Sequence, residues 1–155
     1  MENLNGIYET YYDNGQIRTR KNYKDNKLDG LSEEWYDNGQ IKERCNYKNG
    51  KLTGLFEKWY DNGQMGVKIN FKDDDLNGKF ESWYKNGQIR ESCNFKDGKY
   101  NGLYEWWYKN GQIMYRKNYK DDRLDGLYER WHDNGELKER SIWKDGNKCK
   151  ENLEK

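Results

Sequence analysis

Hydrophobic and polar residues alternate along nearly the whole chain, in short runs that end at a glycine, an asparagine or an aspartate. Such alternation over about four to eight residues is typical of a β-strand with one face towards solvent. A helix is not expected, because no run between two turn signals exceeds about eight residues. The pattern therefore predicts an all-β fold with many short strands.

A 24-residue pattern repeats six times along the chain without an insertion. Every copy has a glycine, a glutamate three residues later and an aromatic residue two positions further on, as at Gly30, Glu33 and Trp35. The units begin near residues 4, 28, 52, 76, 100 and 124. They predict one repeat domain over residues 1–147, followed by a polar cap or tail over 148–155 that blunts the sheet edge.

Two turns divide every unit into two strands. An Asn-Gly pair marks the first turn, as at residues 14–15, and a type I′ turn is expected because Asn and Gly tolerate the positive φ that it needs. The second turn lies midway between the Asn-Gly pairs, as at residues 24–27. Six units then give about 12 strands in an elongated, single-layer antiparallel meander, roughly 58 Å long at ~4.8 Å per strand.

Two-residue turns fix the expected strand register. The expected pairs are Tyr12–Ile17, Glu9–Arg20 and Tyr8–Lys21 in the first hairpin, and Tyr23–Leu28 and Arg18–Glu33 in the second. One face then carries Leu4, Tyr8, Tyr12, Ile17 and Tyr23 with their repeats, and the other carries Leu31, Glu33, Trp35, Lys42, Arg44 and Asn46 with theirs. We interpret the charges of the second face as a register device rather than a phosphate-binding groove. The first face must curl on itself or bind a partner.

Composition narrows the class of protein. Aromatic residues make up 16% of the sequence, which argues against disorder despite the 37% of charged residues. The net charge is only +1, so no nucleic acid partner is expected. No signal peptide or transmembrane segment is recognisable, which favours a cytoplasmic protein.

Cys45, Cys93 and Cys149 are expected to be free thiols. The first two lie about four strands, ~19 Å, apart, whereas the Cα atoms of a disulfide must lie within about 7 Å.

Motifs for catalysis or metal binding are weak. Residues 73–78 copy the first half of a calcium-binding loop, but Tyr84 stands where its final glutamate ligand belongs. The only histidine is His132, and the glutamates of the repeat recur six times, which is poor support for one active site. We therefore expect a non-enzymatic protein with no catalytic residue, no cofactor and no metal site.

The fifth unit departs most from the repeat, through Trp106, Met114 and Tyr115. The register places Trp106 opposite Tyr115 on the aromatic face. These rings either form a better-packed centre of the curl or serve as anchors for a partner, for which Trp and Tyr are the usual residues. The predicted partner-binding residues are Ile89, Tyr104, Trp106, Tyr108, Met114, Tyr115 and Tyr128. A local bend is expected in the third unit, which departs at Gly66, Val67, Ile69 and Lys79.

The unit read from residues 126–128 and the neighbouring copies, G-L-Y-E-x-W-Y-D-N-G-Q-I, resembles the MORN-repeat variant of bacterial proteins in the YwqK-type antitoxin family. The resemblance covers about residues 4–147. It implies an elongated β-meander and, for some members, an antitoxin or immunity protein that binds a toxin encoded beside it. Eukaryotic MORN proteins are also associated with membranes and phospholipids.

The favoured hypothesis is a non-catalytic repeat scaffold for protein–protein interaction, of an antitoxin or immunity type with a cognate toxin as its partner. The alternative is a membrane- or phospholipid-associated adaptor, which Trp and Arg on one face would suit. A carbohydrate or peptide binder that stacks its ligand on exposed rings stays open as a third hypothesis.

Overall fold

A computed structural model describes residues 3–150 as one open antiparallel sheet of 14 strands. This part of the chain contains no helix that is long and apolar enough to cross a membrane. Consecutive strands are neighbours, except that β9 pairs only with β8, which also pairs with β10. The predicted all-β meander is confirmed. The strands are β1 (Gly6–Tyr11), β2 (Ile17–Lys24), β3 (Lys27–Trp35), β4 (Ile41–Lys48), β5 (Lys51–Trp59), β6 (Met65–Lys72), β7 (Asp75–Trp83), β8 (Ile89–Lys96), β9 (Lys99–Tyr100), β10 (Gly102–Trp107), β11 (Ile113–Lys120), β12 (Arg123–Trp131), β13 (Leu137–Lys144) and β14 (Asn147–Lys148).

The two strands beyond the expected 12 have separate origins. Asn101 separates β9 from β10, where its amide donates a hydrogen bond to the Asn94 carbonyl (2.9 Å). β14 begins a seventh unit and pairs with the last full strand, β13. The amide of Cys149 continues this pairing by donating to the Ile142 carbonyl (2.8 Å), so the sheet extends one short strand beyond β13. Residues 151–155 of the predicted tail lie outside the described residues.

The midway turns are the type I′ turns of this fold. Asp25 and Asn26 both have positive φ, 49° and 64°, as the two central residues of such a turn require. Side chains of Asp and Asn tolerate this region better than most. The second turn residue also contacts the preceding unit, since the Gly50 amide donates to the Leu28 carbonyl (2.7 Å). Each midway turn therefore closes a hairpin and links two units.

The Asn-Gly turns do not have the predicted geometry. In the Asn-Gly turn of the first unit only Gly15 has positive φ, 82°, while the Asn14 side chain accepts a hydrogen bond from the Gln16 amide (3.0 Å). The Gly15 amide donates to the Tyr12 carbonyl (2.9 Å), and the Tyr12 amide donates to the Gln16 carbonyl (2.8 Å). This is a three-residue loop that ends in a glycine bulge. Because the loop is one residue longer than expected, Ile17 pairs with Tyr11, and the predicted Tyr12–Ile17 pair is wrong.

A further bulge after the turn, with Arg18 as its extra residue, restores the predicted register, so Glu9 lies opposite Arg20 and Tyr8 opposite Lys21. The second hairpin contains another bulge. Tyr23 pairs with Leu28 as predicted, but three residues of β3, 29–31, then lie opposite one residue of β2. Glu33 consequently pairs with Arg20, and the predicted Arg18–Glu33 pair is wrong. A shift of two residues preserves the alternation, so the charged and aromatic faces stay distinct.

Glycine is needed at this second bulge. Gly30 has a φ of +108°, and a Cβ there would lie 3.3 Å from the Cβ of Asn22 on the neighbouring strand. The side-chain amide of Asn22 fills the bulge by donating to the Leu31 carbonyl (2.7 Å). The same arrangement recurs at Gly126, where the Asn118 side chain donates to the Leu127 carbonyl (3.2 Å).

The aromatic face is the sheet surface that carries Tyr8, Tyr23 and their repeats. Tyr8 and Tyr23 pack edge to face with ring centroids 5.4 Å apart, and equivalent contacts continue along the sheet. A row of small or aliphatic side chains lies buried among these rings: Cys45, Ile69, Cys93 and Ser141 are between 1% and 5% exposed. No second layer is present in residues 3–150, so the side chains of the face cover this row themselves. The face therefore encloses its own small core.

The opposite surface, the ladder face, carries Glu9, Glu33, Trp35, Arg44 and their repeats. Lys42 was expected on the ladder face, but it is the extra residue of the bulge that follows the Asn-Gly turn of the second unit. Its ammonium contacts the Glu34 carboxylate at 2.7 Å and lies 5.9 Å from the centre of the Tyr36 ring instead. The predicted position of Lys42 is therefore wrong, because the bulge rotates its side chain off the ladder.

The cysteines are free, as predicted. Cys45 and Cys93 occupy the buried row, at 2% and 1% exposure, whereas Cys149 is exposed. Burial raises the pKa of the Cys93 thiol to about 12, and the nearby Glu91 carboxylate contributes to that increase. The two buried thiols are core residues rather than reactive groups.

Candidate functional site

The ladder face has few unsatisfied charges. The Glu33 carboxylate, whose side chain is 8% exposed, lies 2.9 Å from the Arg44 guanidinium and 3.9 Å from that of Arg20. These guanidinium groups also stack on the repeat tryptophans, with Arg20 5.6 Å from the centre of the Trp35 ring and Arg44 5.9 Å from that of Trp59. Each charge thus has a partner within the sheet, which supports a role in register.

A row of tyrosine hydroxyl groups connects each unit to the next. The Tyr36 hydroxyl donates to the Trp59 carbonyl (2.8 Å), and the same bond recurs with a 24-residue spacing. The five donors are Tyr12, Tyr36, Tyr60, Tyr84 and Tyr108, and the acceptor carbonyls are those of Trp35, Trp59, Trp83, Trp107 and Trp131. Tyr108, a predicted partner-binding residue, therefore has a structural bond in this row.

The fifth unit brings the other predicted rings together. Trp106 lies opposite Tyr115, as predicted, and opposite Glu91 on its other side. The Tyr115 ring lies 6.4 Å from the Tyr128 ring, and the Tyr104 ring packs edge to face on Tyr119 at 5.9 Å. All of these rings are partly exposed. Together they form the aromatic patch of the fifth unit, on one face of the sheet.

Lys117 lies at the centre of this patch. Its ammonium is 4.4 Å from the centre of the Tyr115 ring, 5.4 Å from Tyr104 and 5.7 Å from Tyr128. Lys117 occupies the row that holds Cys45, Ile69 and Cys93 in earlier units. Burial lowers its pKa, and the positive charge of Arg130 lowers the pKa further. The fifth unit therefore has a cation where its neighbours have a buried core residue.

Two more cations border the patch. The Arg130 guanidinium lies 5.4 Å from the centre of the Tyr115 ring, and its buried Nε has no hydrogen-bond acceptor among the described residues. The Arg90 guanidinium lies 5.8 Å from the centre of the Trp106 ring, and its Nε donates to Ser82 Oγ (3.2 Å). Within residues 3–150, neither arginine nor Lys117 has a carboxylate within 4.0 Å.

One carboxyl group lies at the edge of this surface. Glu91 is 9% exposed, and burial raises its pKa above the usual range. Its hydrogen bond with the Tyr104 hydroxyl opposes that increase, while burial and the Glu91 charge together raise the pKa of Tyr104. The positive charge of Arg90 also lowers the pKa of this carboxyl, so Glu91 and Arg90 interact electrostatically.

The remaining predicted residues are not among these rings, and Ile89 lies on the ladder face with its partner Trp83. Ile89 pairs with Trp83 at the start of β8, and Met114 is the extra residue of the bulge between β10 and β11. Sequence reasoning missed Glu91, Lys117 and Arg130. The sequence did contain a signal for Lys117, because the second, third and fourth units have Cys45, Ile69 and Cys93 at its position.

The segment that resembles a calcium loop is a turn. The carboxylate of Asp74 accepts a hydrogen bond from the Leu52 amide (2.7 Å), so it has a structural partner. A cleft of about 140 Å³ lies beside it, lined by Lys72, Asp73, Asp75, Asn77 and Asp97. In the described part of the chain, no three His, Cys, Asp or Glu side chains are grouped as metal ligands would be.

Taken together, these features define a tandem-repeat β-scaffold, in which each hairpin bonds to the next and the units differ mainly in the side chains of one face. A family model described as MORN repeat variant matches six segments, residues 4–25, 28–49, 52–73, 76–97, 100–121 and 124–145. The chain therefore belongs to the MORN repeat variant family. Such repeats suggest a scaffold for protein or membrane interaction. No curated protein matches the chain significantly.

Proposed function

We propose that this protein is a non-catalytic scaffold that binds an acidic surface of a protein partner through its fifth unit, as an antitoxin or immunity protein would. The observation that carries the proposal is the contrast between the two faces. The ladder arginines have carboxylate partners, as Arg44 does with Glu33. Lys117 and Arg130 on the aromatic face have tyrosine rings as neighbours instead.

The chemistry of this surface favours a protein partner that carries carboxylates and apolar groups. Trp, Tyr and Arg are the residues that most often contribute binding energy at protein interfaces. Asp or Glu side chains of a partner would supply the counter-charge that Lys117 lacks and an acceptor for the Arg130 Nε. Trp106 and Tyr115 would exclude water around those ion pairs, which strengthens them.

The expectation of a non-catalytic role comes from the repeat itself. The glutamate recurs in all six units and pairs across strands with an arginine in several of them, as Glu33 does with Arg44, which supports a role in register. In the fifth unit, the side chains that differ most from the other units are rings and a cation, such as Trp106, Tyr115 and Lys117. Residues of this kind suit recognition better than proton transfer at neutral pH.

The test uses the full chain and the product of the neighbouring gene, which is the partner that an antitoxin would bind. Calorimetry should give a measurable affinity, and the Trp106→Ala, Tyr115→Ala variant should weaken it at least about 100-fold, as expected for two anchor residues. The matched control is Thr10→Ala, Thr19→Ala, which changes the corresponding cross-strand pair of the first unit and should leave affinity unchanged. Equal affinity of the double ring variant would refute the site, and no binding by the unaltered chain would refute the antitoxin role.

Membrane association is the second candidate function, favoured by the position of Arg90 over Trp106 and by the two further cations beside it. Such a surface could contact anionic lipid headgroups. Sedimentation with vesicles of phosphatidylserine and phosphatidylcholine at low and physiological salt distinguishes this function from the first. Absence of binding at low salt would eliminate it, whereas binding that Lys117→Met weakens would favour it over a protein partner.

A further inference from the structure

A second surface is created by a single missing side chain in the third unit. One residue per unit follows the Asn-Gly turn as the extra residue of the bulge, and this row consists of Arg18, Lys42, Gly66, Arg90, Met114 and Lys138. Gly66 is the only member of the row without a side chain. Its backbone does not require glycine, because Gly66 is the one glycine of the 16 in the chain whose φ is not positive. The absence of a side chain, not backbone freedom, is therefore its distinguishing property.

In the first two units, this side chain covers a ring. The Arg18 guanidinium lies 5.7 Å from the centre of the Tyr12 ring, and the Lys42 ammonium lies 5.9 Å from that of Tyr36. A Cβ on Gly66 would lie 3.4 Å from the edge of the Tyr60 ring, so the space beside that ring is the space that the missing side chain would fill.

A groove of about 370 Å³ occupies this position. Its lining residues are Tyr36, Lys58, Trp59, Tyr60, Gly66, Val67 and Arg90. Volumes of about 300–1,000 Å³ are typical of sites for small molecules. The groove is thus large enough for a ligand of one or two fused rings.

The charge of the groove is one-sided. Lys58 and Arg90 line it and no carboxylate does, since Glu43, opposite Lys58 on the other neighbouring strand, and Glu91, which interacts electrostatically with Arg90, both lie outside the lining. Val67 explains part of this imbalance, because Glu43 and Glu91 hold the corresponding position in the second and fourth units. Val67 lies directly opposite Lys58 on the neighbouring strand, where Glu43 lies opposite Glu34 in the unit before. In the third unit, therefore, no side chain of residue 66 covers the Tyr60 ring, and residue 67 is not an acid.

We propose that this groove binds a small aromatic anion, whose ring stacks on Tyr60 in the space left by Gly66 and whose carboxylate, sulfonate or phosphate pairs with Lys58 and Arg90. The ring of such a ligand would replace the contact that Arg18 makes with Tyr12. A cationic ligand is disfavoured, because Lys58 and Arg90 repel it and no lining residue offers a counter-charge. The site is separate from Trp106 and Tyr115, although Arg90 contacts both surfaces.

The experiment uses 2-naphthoate as the anionic probe and 2-naphthamide as its neutral counterpart, with the full chain labelled for NMR. We expect 2-naphthoate to shift the amide signals of residues 58–60 and 66–67, and to bind at least about 10-fold more tightly than 2-naphthamide, because charge-assisted hydrogen bonds to the carboxylate are lost in the amide. Equal affinity for the two probes, or shifts confined to residues 104–117, would overturn the proposal.

Two variants restore the side chains that the other units have. Gly66→Arg refills the groove and should weaken 2-naphthoate binding at least about 10-fold, whereas Gly66→Ala adds one carbon and should retain most of it. Val67→Glu introduces the acid that other units have at this position and should weaken binding by charge repulsion. This variant provides the test if Gly66→Arg fails to fold. Full affinity in folded Gly66→Arg or in Val67→Glu would contradict the assignment. Because Trp106 and Tyr115 are unchanged, either result leaves the proposed partner surface to be judged by its own test.

Discussion

Removal of one tyrosine hydroxyl should measure how strongly neighbouring units are coupled. The Tyr84 hydroxyl donates to the Trp107 carbonyl at 2.7 Å, and this bond joins the fourth unit to the fifth. Tyr84→Phe deletes the donor and keeps the ring, so packing should be little changed. The carbonyl is partly buried and would be only partly rehydrated in the variant.

A net loss of about 1 kcal/mol is expected, within the ~0.5–1.5 kcal/mol typical of an intramolecular hydrogen bond. For a chain of this length, each kcal/mol lowers Tm by about 2–4 °C. Equivalent tyrosines lie two strands, about 9.6 Å, apart, so their effects should add. Five Tyr→Phe changes would then cost about 5 kcal/mol, which is comparable to the whole free energy of unfolding of many domains.

Urea unfolding followed by tryptophan fluorescence and by far-ultraviolet circular dichroism measures these differences. His132 holds the same position in the sixth unit, is exposed, and has no matched segment of the repeat after it. His132→Phe is therefore the control, and it should change the free energy of unfolding by less than about 0.5 kcal/mol. If Tyr84→Phe has an effect as small as this control, water replaces the hydroxyl and the row does not couple the units.

Two further predictions follow from buried titratable groups. A thiol reagent at pH 8 should modify Cys149 rapidly but should modify Cys45 and Cys93 only on unfolding. Cys45 and Cys93 are buried, and burial raises the pKa of each thiol. Rapid reaction of all three cysteines would refute this prediction. Burial lowers the pKa of Lys117, so the unfolded chain binds more protons than the folded one between that lowered pKa and 10.5, and the free energy of unfolding should rise with pH there. Lys117→Met should lack this rise, and parallel pH profiles of the two proteins would show that the ammonium is not buried.

The strand pattern and the number of units could be predicted from sequence because they depend on local rules. Alternation of polar and apolar residues defines a strand within about eight residues, and turn residues define where it ends. Cross-strand pairs near the middle of a hairpin could also be predicted from the sequence, as Glu9–Arg20 and Trp106–Tyr115 show. These pairs need only the alternation and an approximate turn length.

The bulges could not be predicted in the same way. The same Asn-Gly sequence is compatible with a loop of two or three residues. The three-residue loop pairs Ile17 with Tyr11 instead of Tyr12. The bulge at Gly30 is filled by the Asn22 side chain, which donates a hydrogen bond to the Leu31 carbonyl, nine positions away along the chain. Such contacts form only once the strands are aligned, so no single segment specifies them.

The sequence by itself determined that this protein is a six-unit β-repeat with one charged and one aromatic face, because a period of 24 residues and a period of two are both visible in the chain. Only the tertiary structure decided which side chains of different units meet. One bulge brings Tyr128 opposite Lys117, and the bulge after the Asn-Gly turn of the third unit places Gly66 beside Tyr60. The physical reason is that burial and charge compensation depend on neighbours in adjacent strands, which the order of residues within one unit does not specify.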